Sequence, residues 1–205
     1  MLYPRTVKLN NKEVLVNEAQ CVGYKEHMAD RHRILFLSGI IAGDMENHNL
    51  FLTLDSLSHD PIKLIITSPG GDLDSTFLFY DTMRLIKSPI VTVGRYCASG
   101  AALLLAAGTK RYLFPHAKVM LHLPAGHMGG DARDWEIQHR EMQKYKHRMV
   151  DILCDCGVKK SREEILIDID RDYWLEPKEA IAYGLVDGIM TPEIWQSWLK
   201  EGKRP

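Results

Sequence analysis

From residue 33 onward, apolar runs of strand length alternate with amphipathic stretches of helical length. Residues 33–38 predict a buried strand and 44–58 an amphipathic helix; 62–67 and 73–86 repeat the pair. A third strand at 90–93 leads into a small-residue helix at 99–107, with Gly108 as its natural stop. Short strands follow at 111–114 and 118–122, and a helix at 177–183. Strands alternating with helices imply βαβ units and a mostly parallel sheet. Residues 1–30 are mixed and polar, with a weak strand signal at 14–16.

Residues 131–156 have a different pattern. No Pro or Gly interrupts them, and as one helix they would reach about 39 Å. Trp135, Met142, Met149 and Cys156 recur every seven residues, with Tyr145 and Ile152 at the intervening heptad position. Such a narrow seam suits a partner helix. Two readings stay open: a surface helix packed on its own domain, or a projecting contact between subunits.

Composition narrows the class without naming a function. The 205 residues are 45% hydrophobic and 26% charged, as in a soluble globular domain with a sizeable core. A net charge of −1 and scattered Lys and Arg give no reason to expect nucleic acid or an anionic membrane. Cys21, Cys97, Cys154 and Cys156 are too sparse for a secreted disulfide scaffold, so reduced thiols in a cytoplasm are expected. Cys154 and Cys156 lack a second pair at zinc-ligand spacing, and no cofactor or metal is expected. No basic start followed by an apolar stretch marks a signal peptide, and the most apolar window, 101–107, is too short to span a bilayer.

Three features carry candidate chemistry. Ser99 stands at a strand-to-helix junction, beside helix N–H groups that have no intrahelical partner. A nucleophile there has part of an oxyanion hole already built, although an ordinary N-cap serine occupies the same place. Ser68-Pro69-Gly70-Gly71 removes side chains from a turn, so its N–H groups can approach a substrate carbonyl; it also reads as a plain tight turn. His122 closes a strand at the sheet edge where sites form, and Asp172 enters the apolar segment before the helix at 177–183. A carboxylate at that point could hold the imidazole in the tautomer that accepts the Ser99 proton. Taken singly, the histidine reads as structural and the acid as surface charge.

Together these residues resemble a known family. Ser68-Pro-Gly-Gly71, Tyr80-Asp-Thr-Met83, Ala98-Ser-Gly-Ala101, Met120-Leu-His-Leu-Pro124, Arg171-Asp172 and Glu179-Ala-Ile-Ala-Tyr-Gly-Leu-Val-Asp187 follow the pattern of the proteolytic subunit of Clp protease, ClpP, from about Arg31 to Ile189. The resemblance implies a crotonase-like α/β fold of repeated β-β-α units with a protruding handle helix at about 131–156. It implies a serine peptidase with Ser99 as nucleophile, His122 as general base, Asp172 as orienting acid, and Gly71 and Gly100 as oxyanion-hole donors. Gly126 and Gly130 match the segment where a peptide substrate adds as a strand. Arg171, Trp135, Met142, Tyr145 and Met149 would serve assembly into two stacked heptameric rings. An ATP-driven AAA+ unfoldase is the implied partner, and polypeptides are the implied substrates. Residues 1–30 match poorly and would hold an axial loop; 31–205 form the peptidase domain.

This chain departs from that pattern at several positions. Leu123 replaces the usual Gln after the histidine, and Gly100 the usual Met after the serine. Lys63 puts a cation where an apolar wall would receive the unfoldase, which disfavours docking. These departures point to a divergent member. Two other readings are a crotonase-type acyl-CoA hydratase or isomerase, and a catalytically silent ring subunit. The first uses paired carboxylates rather than a serine, and the second usually lacks a member of the Ser, His and Asp set present here.

Overall fold

The computed structural model describes the backbone of residues 5–9, 12–16, 18–43, 46–127 and 129–201, with side chains over 23–43, 48–127 and 129–200. An antiparallel pair, β1 (Arg5–Leu9) and β2 (Lys12–Val16), precedes α1 (Glu18–His32). Residues 1–4, 10, 11 and 17 of the expected axial segment lie outside the described residues. Helix α1 crosses position 30 and buries Met28 and Ala29.

Four strands then run parallel and side by side: β3 (Ile34–Ser38), β4 (Ile62–Ser68), β5 (Ile90–Ala98) and β6 (Lys110–Leu121). Between them lie α2 (Glu46–Leu57), α3 (Leu73–Leu85) and α4 (Gly100–Ala106). The long helix α5 (Ala132–Asp155) and α6 (Arg162–Asp168) follow. A short β7 (Tyr173–Leu175) returns antiparallel to the end of β6, and β8 (Gly188–Ile189) pairs parallel with its start. Helix α7 (Pro177–Tyr183) separates the two, and α8 (Pro192–Glu201) closes the described chain. This is the mixed α/β architecture expected from successive β–α units. The two short strands expected at 111–114 and 118–122 are one strand, β6, carried past Pro115 by a shift in its register with β5.

Successive side chains of a strand face opposite sides of the sheet, and β4 is buried on both, so its alternate residues enter two separate cores. Ile62, Leu64 and Ile66 of β4 join Phe51, Phe79, Leu103 and Leu104 in the main core. Ile65, on the other face, packs with Ile34, Val93, Met28 and Trp198 beneath α1 and α8. Lys63 shares that second face and is only 4% exposed. Among the described residues no helix is long and apolar enough to cross a membrane.

A polar clasp ties α2 to the loop before β5. Asp55 accepts from the Ser88 N–H and hydroxyl, both at 2.8 Å, and Arg33 donates to Ser88 Oγ at 3.1 Å. Burial pushes the Asp55 carboxyl up, but the Ser88 and His59 hydrogen bonds outweigh it and hold the pKa at about 2. The unfolded value is about 3.9. The stability this group contributes is therefore present above pH ~4 and lost as pH falls toward 2. In Asp55→Asn, unfolding followed between pH 5 and 2 is expected to show lower stability at neutral pH and a shallower decline through that acid window.

Candidate active site

Strand β5 and helix α4 meet at a sharp bend, and Ser99 is the residue in it. Its N–H donates to Met120 O at 2.8 Å, which keeps it registered on β6 one step beyond Ala98. The chain then reverses into α4 with Ser99 at φ 56° and ψ −128°. Glycine adopts that conformation freely; a serine holds it at a cost of about 1–3 kcal/mol and only where its surroundings enforce it. As N-cap of α4, Ser99 makes no side-chain capping bond. Its Oγ lies 2.8 Å from His122 Nε2 instead. The hydroxyl is thus committed to the imidazole rather than to the helix.

β-pairing brings His122 and Asp172 together. Leu121 faces Tyr173 and Met120 faces Trp174 across the β6–β7 ladder, so the next positions outward are His122 and Asp172. Leu123 N–H donates to Ile169 O at 2.9 Å and pins the chain just beyond the histidine. His122 Nδ1 and Asp172 Oδ1 are 3.6 Å apart, within ion-pair reach but longer than a hydrogen bond. The imidazole is half-buried at 24% exposure, whereas Asp172 is 62% exposed. Arg171 is turned to its other neighbour, donating to Asp170 O at 2.7 Å.

The Pro-Gly-Gly loop closes the third side. Gly70 N–H donates to Ser68 Oγ at 3.0 Å, Ile41 N–H to Gly70 O at 2.8 Å, and Asp72 N–H to Ile41 O at 2.7 Å. Gly70 has φ +89°, and a Cβ there would sit 2.6 Å from Ala98 O and 2.7 Å from Ser99 Cβ. No side chain fits, so the loop backbone lies directly against the serine. A Cβ on Gly71 would likewise overlap the Ile41 backbone. Among the described residues the Gly71 N–H meets no acceptor. Gly100 opens α4, so its N–H has no carbonyl four residues back within the helix. A hydroxyl bonded to an imidazole, a nearby carboxylate and two donors on glycine backbone are the parts required for acyl transfer.

The remaining sequence candidates divide between the site and the long helix. The methyl group of Met142 lies over Gly126. Gln138 bonds both backbone groups of Gly129, donating to its O at 2.7 Å and accepting from its N–H at 3.3 Å. Gly130 has φ +105° and abuts Asp134, whose carboxylate completes the capping box of α5. Met149 is 2% exposed and belongs with Ile152 to the chain's own core, away from any surface a partner could reach. Trp135 and Ile137, at the other end of α5, are exposed.

Tyr145 links that helix to the start of α3, a connection the sequence does not signal. Its hydroxyl donates to the Asp74 carboxylate, 2.9 Å from both oxygens, and the ring lies 5.9 Å from that of Phe77. The bond to Asp74, with some burial, raises the phenol pKa. Tyr145→Phe keeps the ring contact and loses the bond. Thermal unfolding is expected to show a loss of about 1 kcal/mol, the net value of one such hydrogen bond.

Comparison with known proteins adds an independent line. A family model described as Clp protease matches residues 18–193. Over 166 residues the chain is 38% identical to the ATP-dependent Clp protease proteolytic subunit 4, chloroplastic, of Arabidopsis thaliana, covering 78% of this chain and 56% of that protein. It is 40% identical over 168 residues to the ATP-dependent Clp protease proteolytic subunit 1 of Rhodopirellula baltica, covering 78% of this chain and 72% of that protein. The chain thus matches little more than half the length of the plant relative.

Proposed function

The chain belongs to the Clp protease family, and on that premise we propose that it is an active serine endopeptidase subunit cleaving peptides and unfolded polypeptides. The observation that carries this reading is the 2.8 Å contact between Ser99 Oγ and His122 Nε2, made by a serine held in a strained backbone conformation. Strain of that kind persists only where the surrounding structure enforces it, and it clusters at sites of chemistry.

In the proposed reaction His122 Nε2 takes the proton as Ser99 Oγ attacks the scissile carbonyl. The Gly71 and Gly100 N–H groups receive the oxyanion. His122 then protonates the departing amine, leaving an ester on Ser99, and activates the water that hydrolyses it. Asp172 steadies the imidazolium through Nδ1. Gly126 and Gly130 border the segment along which an extended peptide pairs by its backbone, giving affinity with little side-chain preference. For that pairing to include Gly129, the peptide must displace Gln138.

Two stacked heptameric rings would enclose such sites, with α5 as the handle and Trp135, Met142 and Tyr145 at or near the contact. Arg171, exposed beside Asp172, would pair across a subunit interface. An AAA+ unfoldase would feed the chamber; Lys63, tucked beneath α1, replaces part of the apolar wall it would use. Residues 1–30 would include the axial loop and 31–205 the peptidase domain. A reducing compartment such as the cytoplasm fits the free thiols of Cys97, Cys154 and Cys156.

A fluorophosphonate probe tests the chemistry. Labelling of the wild-type chain that disappears in Ser99→Ala supports the peptidase, whereas an unlabelled, assembled protein fits a silent subunit or an acyl-CoA hydratase. Native mass spectrometry tests the assembly. The expected species is roughly fourteen copies of the chain, since closed rings terminate growth; a monomer at micromolar concentration would refute it.

A further inference from the structure

Thr76 occupies the junction between the two glycine segments at the site. It lies in the first turns of α3 and is fully buried. Its hydroxyl donates to Asp72 O at 2.8 Å and its N–H donates to the same carbonyl at 3.0 Å. That carbonyl belongs to the residue directly after Gly71. On its other side, Thr76 fills the space where a residue with a side chain at position 100 would place its Cβ. A Cβ built on Gly100 would overlap Thr76 Oγ1 and approach Thr76 Cγ2 to 3.1 Å and Cβ to 3.3 Å. One small side chain therefore touches both elements that carry the proposed oxyanion donors.

From this we propose that Thr76 is a positioning residue. It acts as a spacer, bonded to Asp72 and wedged against Gly100, that sets how far apart the Gly71 and Gly100 N–H groups stand. The inference rests on the peptidase reading of Ser99 and extends it. Oxyanion stabilisation depends on donors placed 2.7–3.1 Å from the developing charge, so a loosened spacer weakens the transition state more than substrate binding. A threonine that merely satisfied its hydroxyl within a helix would affect stability alone. The strained Ser99 amplifies the requirement. Its bend is held between β6 and Gly70, and Gly100 is its next residue, so a shift of α4 moves the nucleophile as well.

The test exchanges the filling atoms between the two sides of the wedge. Thr76→Gly empties the space. Gly100→Ala pushes a methyl into it, and the double variant refills it from the opposite wall. For the assembled protein, Thr76→Gly is expected to lower kcat and the rate of fluorophosphonate acylation by about 10- to 100-fold. KM should stay within about threefold. Gly100→Ala alone should lose at least as much, and the double variant should recover to within about fivefold of wild type, a non-additivity expected of groups in contact. The proposal is overturned if Thr76→Gly keeps kcat within threefold, or if the double variant is no better than the product of the two single losses.

Where Thr76→Gly fails to assemble, Thr76→Val decides. It keeps the shape and loses the bond to Asp72, so a tenfold drop in kcat at unchanged ring mass supports the spacer and an unchanged kcat overturns it. Wild-type protein that takes no probe at all overturns the peptidase reading, and the spacer with it. Labelling that is indifferent to Thr76 overturns the spacer alone.

Discussion

Ser99→Ala is expected to lower peptide hydrolysis by about 10⁴- to 10⁶-fold in kcat, the loss seen when a nucleophile is removed from a triad. His122→Ala should cost nearly as much, and the double variant no more than either, because nucleophile and base act as one unit. Initial rates on a fluorogenic peptide, normalised to assembled protein, check all three. The 2.8 Å bond between the two side chains is the physical ground for this non-additivity. A second readout separates catalysis from fold. Alanine at position 99 must still adopt φ 56°, whereas glycine does so without steric cost. Ser99→Gly should therefore be as inactive as Ser99→Ala yet more stable, by about 1 kcal/mol once glycine's extra unfolded-state entropy is subtracted. A serine whose strain served nothing would be hard to reconcile with two variants that lose all activity while one of them gains stability.

Periodicity made the parallel core legible. Residues 62–67 and 73–86 were read from their apolar spacing, and β4 and α3 occupy nearly the same spans. Short or polar elements escaped. Strand β7 has three residues, too few to show an alternation, yet its pairing with β6 is what sets Asp172 opposite His122. Helix α1 carries little apolar bias and read as mixed polar chain. The absence of Pro and Gly sets the expected length of α5, and its heptad seam predicts a packed face, but periodicity cannot distinguish a chain's own core from a partner. Met149 and Ile152 meet the former, while Trp135 remains exposed. At the site, Ser99 and His122 are weak candidates from their places at strand ends, and the roles of Gly71 and Gly100 come only from the resemblance to the Clp protease family. The positive φ of Ser99 was invisible because no glycine marks it. Thr76 gave no signal either, since its importance comes from a void at Gly100 that exists only once two helix starts are packed together.

Asp172→Asn is expected to lower kcat by about 10²- to 10⁴-fold with KM little changed, a smaller loss than at Ser99 or His122. The carboxylate is 62% exposed and stands 3.6 Å from Nδ1, so much of its field is spent in water. Catalytic bonds that are long in an unliganded site tighten in the reacting complex, and this one has room to do so. The sharper comparison is between two substitutions. An asparagine amide turned toward Nδ1 donates to it, which leaves the proton on Nε2, where it blocks acceptance from Ser99. Alanine imposes no tautomer. Asp172→Asn should accordingly be about tenfold less active than Asp172→Ala, with both curves measured across pH 6 to 9. An acid that only decorated the surface would leave the two variants equal to each other and to the wild type. Equal but strongly reduced rates would assign Asp172 to charge stabilisation of the imidazolium alone, with the tautomer of His122 set by some other neighbour.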